Sequence, residues 1–294
     1  KALKTNGTWN AQWTSASVTM PTPTRTGYTF KGWSTSSTAT SGSTGSYTPT
    51  ANVKFYATWQ ANTFTISYAG NSNTGGSAPT SPTSCTYDAA CTAPANTYTR
   101  TNHVFTGWKC TGGTSACDGD IIAAGGSLKN VSTGSAITLT AQWSACASCA
   151  GNTGVNCTLN GVSNNTCTYT TSCKGGYYNI TNNGKYNASC SVVGDRYYSA
   201  DKSNDRTECT TTSGWTTSTG TTTASSYTSC YQTQTPANCS AGTIKRTASS
   251  ISGTTITYGS ASVTSALKTT TTSYVSGTSC NVCGSNSSNT SGST

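Results

Sequence analysis

Acid–base, metal and nucleophilic chemistry each need particular side chains, and this chain holds few of them. Its acidic residues are Asp88, Asp118, Asp120, Asp195, Asp201, Asp205 and Glu208, and its single histidine is His103. General acid–base pairs, hydrolytic metal centres and Ser–His–Asp triads therefore lack their raw material. The nearest approach to a metal loop is Asp118-Gly119-Asp120, a fragment of a calcium site without further oxygen ligands at a recognisable spacing, and it reads as a loop turn. The remaining acids are interleaved with Arg196, Lys202 and Arg206, the pattern of a mixed solvated surface. An isopeptide crosslink needs a lysine, an amide or carboxyl partner and a nearby acid, and the acids lie mostly in the cysteine-rich half. The expectation is a protein with no catalytic residues, no cofactor and no metal.

The chemistry that is abundant is that of thiols. Fifteen cysteines stand at Cys85, Cys91, Cys110, Cys117, Cys146, Cys149, Cys157, Cys167, Cys173, Cys190, Cys209, Cys230, Cys239, Cys280 and Cys283, none of them before residue 85. In a Ser/Thr-rich chain this points to an oxidising compartment and structural disulfides, with an odd cysteine left over. Cys85-Thr-Tyr and Cys167-Thr-Tyr are each followed by a cysteine after three more residues, Cys91 and Cys173. That gap suits a disulfide across a small loop, as does the turn-rich stretch from Cys110 to Cys117. Cys146-Ala-Ser-Cys149 and Cys280-Asn-Val-Cys283 are CxxC pairs. They lie too far apart for a zinc ribbon, which needs its knuckles about 15–20 residues apart, and lack the strand-to-helix setting of a redox pair. The later pair instead marks the start of a possible second copy of the unit that begins at Cys146.

Composition agrees with a β-rich exterior protein. Of 294 residues, 8% are charged and 33% apolar, with a net charge of +9. A globular domain usually carries about 25% charged residues. Thr, Ser, Asn and Gly fill the gap, residues of strands, turns and glycan attachment rather than of helices. The basic residues are dispersed, so no nucleic-acid surface is expected. No apolar run approaches the roughly 20 residues of a membrane-spanning helix. The terminal stretches, KALKTNG and GSNSSNTSGST, read as cut from a longer chain.

The elements that would position anything are repeated. Ala11-Gln12-Trp13, Ala57-Thr58-Trp59 and Ala141-Gln142-Trp143 each close a strand-like run. Tyr28-Thr29-Phe30-Lys31-Gly32-Trp33 and Val104-Phe105-Thr106-Gly107-Trp108 form a second recurring mark. Period-two alternation places Tyr28 and Phe30 on one face of a half-buried strand. Glycine before tryptophan predicts a bulge or close backbone approach beside a large ring. Tyr28, Phe30, Trp33, Trp59, Phe105, Trp108 and Trp143 are the expected repeat core. Stacking of such rings on sugars is the functional alternative to burial. His103 reads as a turn variant.

This arrangement resembles the Listeria–Bacteroides repeat, also called the internalin B-repeat, which has an opening strand, a Pro-containing connection, a GYTFxGW strand and a closing strand ending in AxW. The resemblance implies an all-β chain of tandem small β-grasp-like repeats on a bacterial surface protein, and no chemistry. The expected divisions are 1–13, the tail of a preceding repeat or a strand partner; 14–61 and 62–145, two repeats; 146–239, a cysteine-rich module; and 240–294, a Thr-rich β segment, with two to four strands over 240–278, and the start of a possible next unit. The second repeat has the opening strand Thr63-Phe64-Thr65-Ile66-Ser67-Tyr68, whereas the first has no clear counterpart. That gap leaves an edge to be filled by residues 1–13, by chain outside this sequence or by another subunit.

Beyond residue 144 the texture is disulfide-rich and Thr/Ser-rich, with Gly176-Tyr177-Tyr178 and Gly194-Asp195-Arg196-Tyr197-Tyr198 as two versions of one element. Sequons at Asn6, Asn130, Asn156, Asn164, Asn179, Asn187, Asn238, Asn286 and Asn289 are candidate glycosylation sites, alongside Thr tracts suited to O-glycans. The function expected is a secreted bacterial stalk or extracellular filament subunit with an adhesive role, partnered by copies of itself. The alternative is a monomeric glycan- or host-binding module.

Overall fold

The computed structural model describes residues 2–5, 8–11, 16–149 and 152–284. Almost every regular element is a strand; the one helical turn among the described residues is Tyr227–Ser229. Among the described residues no helix is long and apolar enough to cross a membrane. The chain divides into two compact units, Lys1–Ala145 and Cys146–Thr294.

The first unit contains both repeats. In the second repeat a five-stranded sheet places Ile137–Ala145 at its centre, antiparallel to His103–Thr111 and parallel to Thr63–Ala69. Ile121–Ile122 and Ser84–Thr86 form the edges. Alternation explains the layering, because Phe64 and Ile66 of the opening strand are buried while Thr63, Thr65 and Ser67 are exposed. Ile137, Leu139 and Ala141 of the closing strand face the same core. Trp108 lies at its middle, fully buried.

Among the described residues the first repeat has fewer strands. Tyr28–Ser34 pairs with Tyr56–Ala61, and Val18–Thr19 pairs with Ser46–Tyr47, each as a two-stranded sheet. Among the described residues no strand lies parallel to Tyr56–Ala61. Ala2–Thr5 and Thr8–Ala11 form a hairpin with each other and with nothing else described.

Glycine before tryptophan has the same cause in both repeats. The ladder slips between Phe30 and Gly32 and again between Phe105 and Gly107, and φ there is 110° and 150°. A Cβ at Gly32 would run into the backbone of Gly42. Each glycine thus permits a bulge that turns the following tryptophan inward.

The second unit is a series of hairpins leading into a larger sheet. Val155–Ser163 pairs with Thr166–Cys173, Tyr177–Thr181 with Ser189–Val192, and Tyr197–Tyr198 with Thr207–Glu208. The long strand Cys239–Ser252 then pairs with Tyr231–Gln234, Thr255–Tyr258 and Ser262–Thr269. The expected division at 239/240 falls at the start of this strand, and the disulfide Cys239–Cys280 spans it. The cysteine-rich and Thr-rich stretches therefore share one sheet.

Candidate functional site

The recurring aromatic residues occupy matching positions. Phe30 meets Trp33 and Trp59 edge-on at 5.6 and 5.4 Å, as Phe105 meets Trp108 and Trp143 at 5.1 and 5.9 Å. Trp33 Nε1 donates to the Pro21 carbonyl at 2.7 Å, and Trp108 Nε1 to the Pro94 carbonyl at 2.9 Å. The Pro-containing connection thus carries the indole acceptor in each copy, satisfying a donor that burial would otherwise strand. Trp143 Nε1 donates to the Gly70 carbonyl at 2.9 Å, just beyond the opening strand.

The first repeat carries an apolar groove. It encloses about 360 Å³ and is lined by Val18, Met20, Trp33, Tyr47, Val53 and Phe55, among others. Aligning the two AxW motifs sets Val53 and Phe55 opposite Ile137 and Leu139. The latter pair are 1% and 0% exposed, whereas Val53 is 41% exposed and precedes the closing strand, which starts at Tyr56.

A polar clasp joins the repeats. A single residue, Asn62, separates Tyr56–Ala61 from Thr63–Ala69. Its side chain accepts from Thr29 Oγ1 at 2.6 Å and donates to the Thr133 carbonyl at 2.7 Å. Tyr28 Oη donates to Asp88 at 2.7 Å, and Asn130 Nδ2 donates to the other carboxylate oxygen at 2.8 Å. These bonds, Asn130 first, hold the Asp88 carboxyl below its usual range, and the bond to Asp88 raises the Tyr28 phenol. Arg25 stacks on Tyr28 at 3.7 Å, and Tyr87 meets the same ring edge-on at 5.7 Å. Tyr28 therefore serves the joint between repeats, and the sequence alone offered no signal for its partner Asp88.

Fourteen cysteines pair: Cys85–Cys91, Cys110–Cys117, Cys146–Cys167, Cys149–Cys157, Cys173–Cys190, Cys209–Cys230 and Cys239–Cys280. The suggested loop from Cys167 to Cys173 is corrected. Both residues belong to one strand, Thr166–Cys173, where extended geometry sets them roughly 20 Å apart. After Cys85 the chain turns, and Cys91 can return. The first CxxC pair splits between two partners, and Cys280 binds backward to Cys239. Cys283 is the cysteine outside the disulfides, half-buried, its N–H donating to the Thr272 carbonyl at 2.8 Å.

The second unit carries Arg–aromatic stacks that sequence reasoning missed. Arg206 lies over Tyr178 at 4.7 Å and Tyr197 at 4.0 Å, one ring from each Gly-Tyr-Tyr element, and donates to the Val193 carbonyl. Arg246 covers Trp215 at 4.1 Å and donates twice to Oε1 of the fully buried Gln232. Asp195 accepts from Ser218 Oγ and from the N–H and hydroxyl of Thr219. Burial raises its carboxyl, but these bonds outweigh it and hold the group below its usual range.

Of the other expected positions, Asp118 Oδ1 accepts from Gly112 N–H, and no cluster of three or more metal-ligating side chains occurs among the described residues. His103 opens its strand, bridged to Arg100. Among the sequons, Asn130, Asn156 and Asn238 commit their amides to Asp88, Asp201 and the Cys280 carbonyl. Asn164, Asn179 and Asn187 are exposed. Asn6, Asn286 and Asn289 lie outside the described residues.

No curated protein and no solved structure matches the chain. The family model of the Listeria-Bacteroides repeat domain matches residues 5–58 and 64–142, the two stretches whose tryptophans and bulges superimpose in pattern. The first unit of this chain is accordingly a tandem of Listeria-Bacteroides repeats.

Proposed function

We propose that the chain is a non-enzymatic structural segment of a secreted bacterial surface protein, a disulfide-stapled stalk or extracellular filament subunit with an adhesive role. The observation that carries this reading is the joint at Asn62. One linking residue, clasped on both sides and flanked by the Tyr28–Asp88–Asn130 bonds, stiffens a tandem that a longer linker would leave loose. The seven disulfides support an extracellular setting and resistance to unfolding under load. The parallel pairing of opening and closing strands supports a β-grasp-like description of the second repeat. Exposed sequons support glycosylation, and the division into 14–61, 62–145 and a cysteine-rich remainder follows the same reading.

Exposed Tyr186 and Tyr274, at 46% and 45%, favour the second reading, a monomeric glycan- or host-binding module. Electron microscopy of non-reduced protein beside a reduced aliquot separates the two. Regular filaments with an axial repeat of one subunit, lost on reduction, are expected for the structural segment. Dispersed monomers at high concentration would sink the filament and direct attention to saturable binding lost in Tyr186→Ala or Tyr274→Ala.

A further inference from the structure

We propose that the Cys85–Cys91 disulfide is a redox-sensitive latch on the joint between the repeats: a dithiol that opens it uncouples the two repeats and leaves both folded. The inference rests on the reading of that joint as stiff. The loop between the half-cystines, Thr86-Tyr87-Asp88-Ala89-Ala90, belongs to the second repeat but reaches the first and the residue that links them. Tyr87 N–H donates to the Asn62 carbonyl at 2.8 Å, and the Asn62 N–H in turn donates to the Gly27 carbonyl at 2.9 Å. The Tyr87 ring meets Tyr28 edge-on and lies against Gly27, where φ is 76° and a Cβ would strike that ring. Asp88, the next residue, accepts the Tyr28 hydroxyl.

Little besides the disulfide keeps the loop in this position. Asp88, Ala89 and Ala90 are exposed, and Thr86 and Tyr87 are half-buried, so no side chain between the half-cystines is sunk in the core. Asp88 stands at φ 60°, in the left-handed region that a residue other than glycine adopts only where its surroundings impose it. The Asn130 side chain bonds both the N–H and the carboxylate of Asp88, but at the surface, where water replaces such bonds at small net cost. The covalent constraint is firmer. Cys85 is buried and pairs opposite Phe64, while Cys91 on the returning side accepts the Leu128 N–H at 2.8 Å. Opening the bond frees the loop and leaves Phe64, Trp108, Ile137 and Leu139 packed together. A dithiol does this by attacking Sγ of Cys91, the more accessible of the two, as a thiolate. A mixed disulfide forms and the Sγ–Sγ bond breaks, with Cys85 leaving as thiolate. The second thiol of the reductant then displaces Cys91, so that both cysteines end as thiols and the dithiol as a cyclic disulfide.

The test compares the full chain with its Cys85→Ala/Cys91→Ala variant by residual dipolar couplings and amide exchange. Couplings from 16–61 and 63–145 should fit one alignment frame in the native chain and need two in the variant. Exchange at the Tyr87 and Asn62 amides should quicken by about tenfold or more, while the sheet around Trp108 keeps its protection. Two frames already in the native chain would overturn the stiff joint itself. One frame in both proteins would leave the stiff joint standing and overturn only the latch. Lost protection around Trp108 in the variant would also overturn it, because the bond would then hold the core rather than the joint. The Cys110→Ala/Cys117→Ala variant lacks a disulfide in the same repeat but keeps the Tyr87–Asp88 loop closed, and should retain one frame; two frames there would trace the uncoupling to general loosening. Native chain treated with dithiothreitol and alkylated should show Cys85 and Cys91 modified while 63–145 stays folded. A bond that opens only as that repeat unfolds would overturn the redox-sensitive reading.

Discussion

The second repeat and the second unit solve the same problem with different materials. The repeat gathers twelve buried residues, among them Trp108, Phe64, Leu128, Ile137 and Leu139, into one apolar cluster. The second unit has two clusters of three buried residues each, and half of those six are half-cystines: Cys209, Cys230 and Cys280. Disulfides beside the large core, Cys85–Cys91 and Cys110–Cys117, close loops of 6 and 7 residues, whereas Cys209–Cys230 and Cys239–Cys280 close 21 and 41. Longer closed loops constrain the unfolded chain more. Where apolar surface is scarce, covalent links take over much of the role of a core.

Reduction is the strongest way to break this comparison. The second unit holds five of the seven disulfides. Each contributes about 2–4 kcal/mol, together more than the roughly 5–15 kcal/mol stability of a typical domain can spare. In hydrogen-exchange mass spectrometry, excess reductant should remove protection throughout 152–284. The cysteine-free stretch 16–61 should keep its protection, as should the sheet around Trp108. Equal loss in both units would show that the repeat core is not self-sufficient.

A smaller effect sharpens the contrast between the two repeats. Trp108→Ala should destabilise the second repeat by about 3–5 kcal/mol, since a fully buried indole leaves a large cavity. Trp33→Ala should cost about half as much, because that ring borders an open groove and has less packing to lose. Urea unfolding followed by exchange within each repeat measures both; equal costs would mean the groove is covered in solution.

The smallest effect concerns acid. Asp195 is held below its usual range when folded, so its stabilising contribution is present above about pH 4 and fades as pH falls through the folded value. The carboxylate is exposed, and solvent screening limits its contribution. Asp195→Asn should lower the thermal midpoint of the second unit slightly at pH 7 and reduce its further drop at pH 3. An unchanged acid drop in the variant would show that these bonds do not matter to stability.

Much of the repeat architecture was legible from residue order. Strand alternation at Thr63–Ala69, the glycine bulges and the two AxW marks depend on local steric and burial rules, which act over a few residues. The Cys85–Cys91 and Cys110–Cys117 loops were readable for the same reason, being short enough for a turn to close. The Cys167–Cys173 reading failed because local spacing does not reveal whether the chain turns or runs straight. Pairing across 21 or 41 residues depends on which strands become neighbours, as do the Arg206 and Arg246 stacks and the bond from Tyr28 to Asp88. That Val18 and Val53 of the first repeat stand exposed beside Trp33 was decided by the tertiary structure, in which the bulge at Gly32 and the Pro21 acceptor fix the ring.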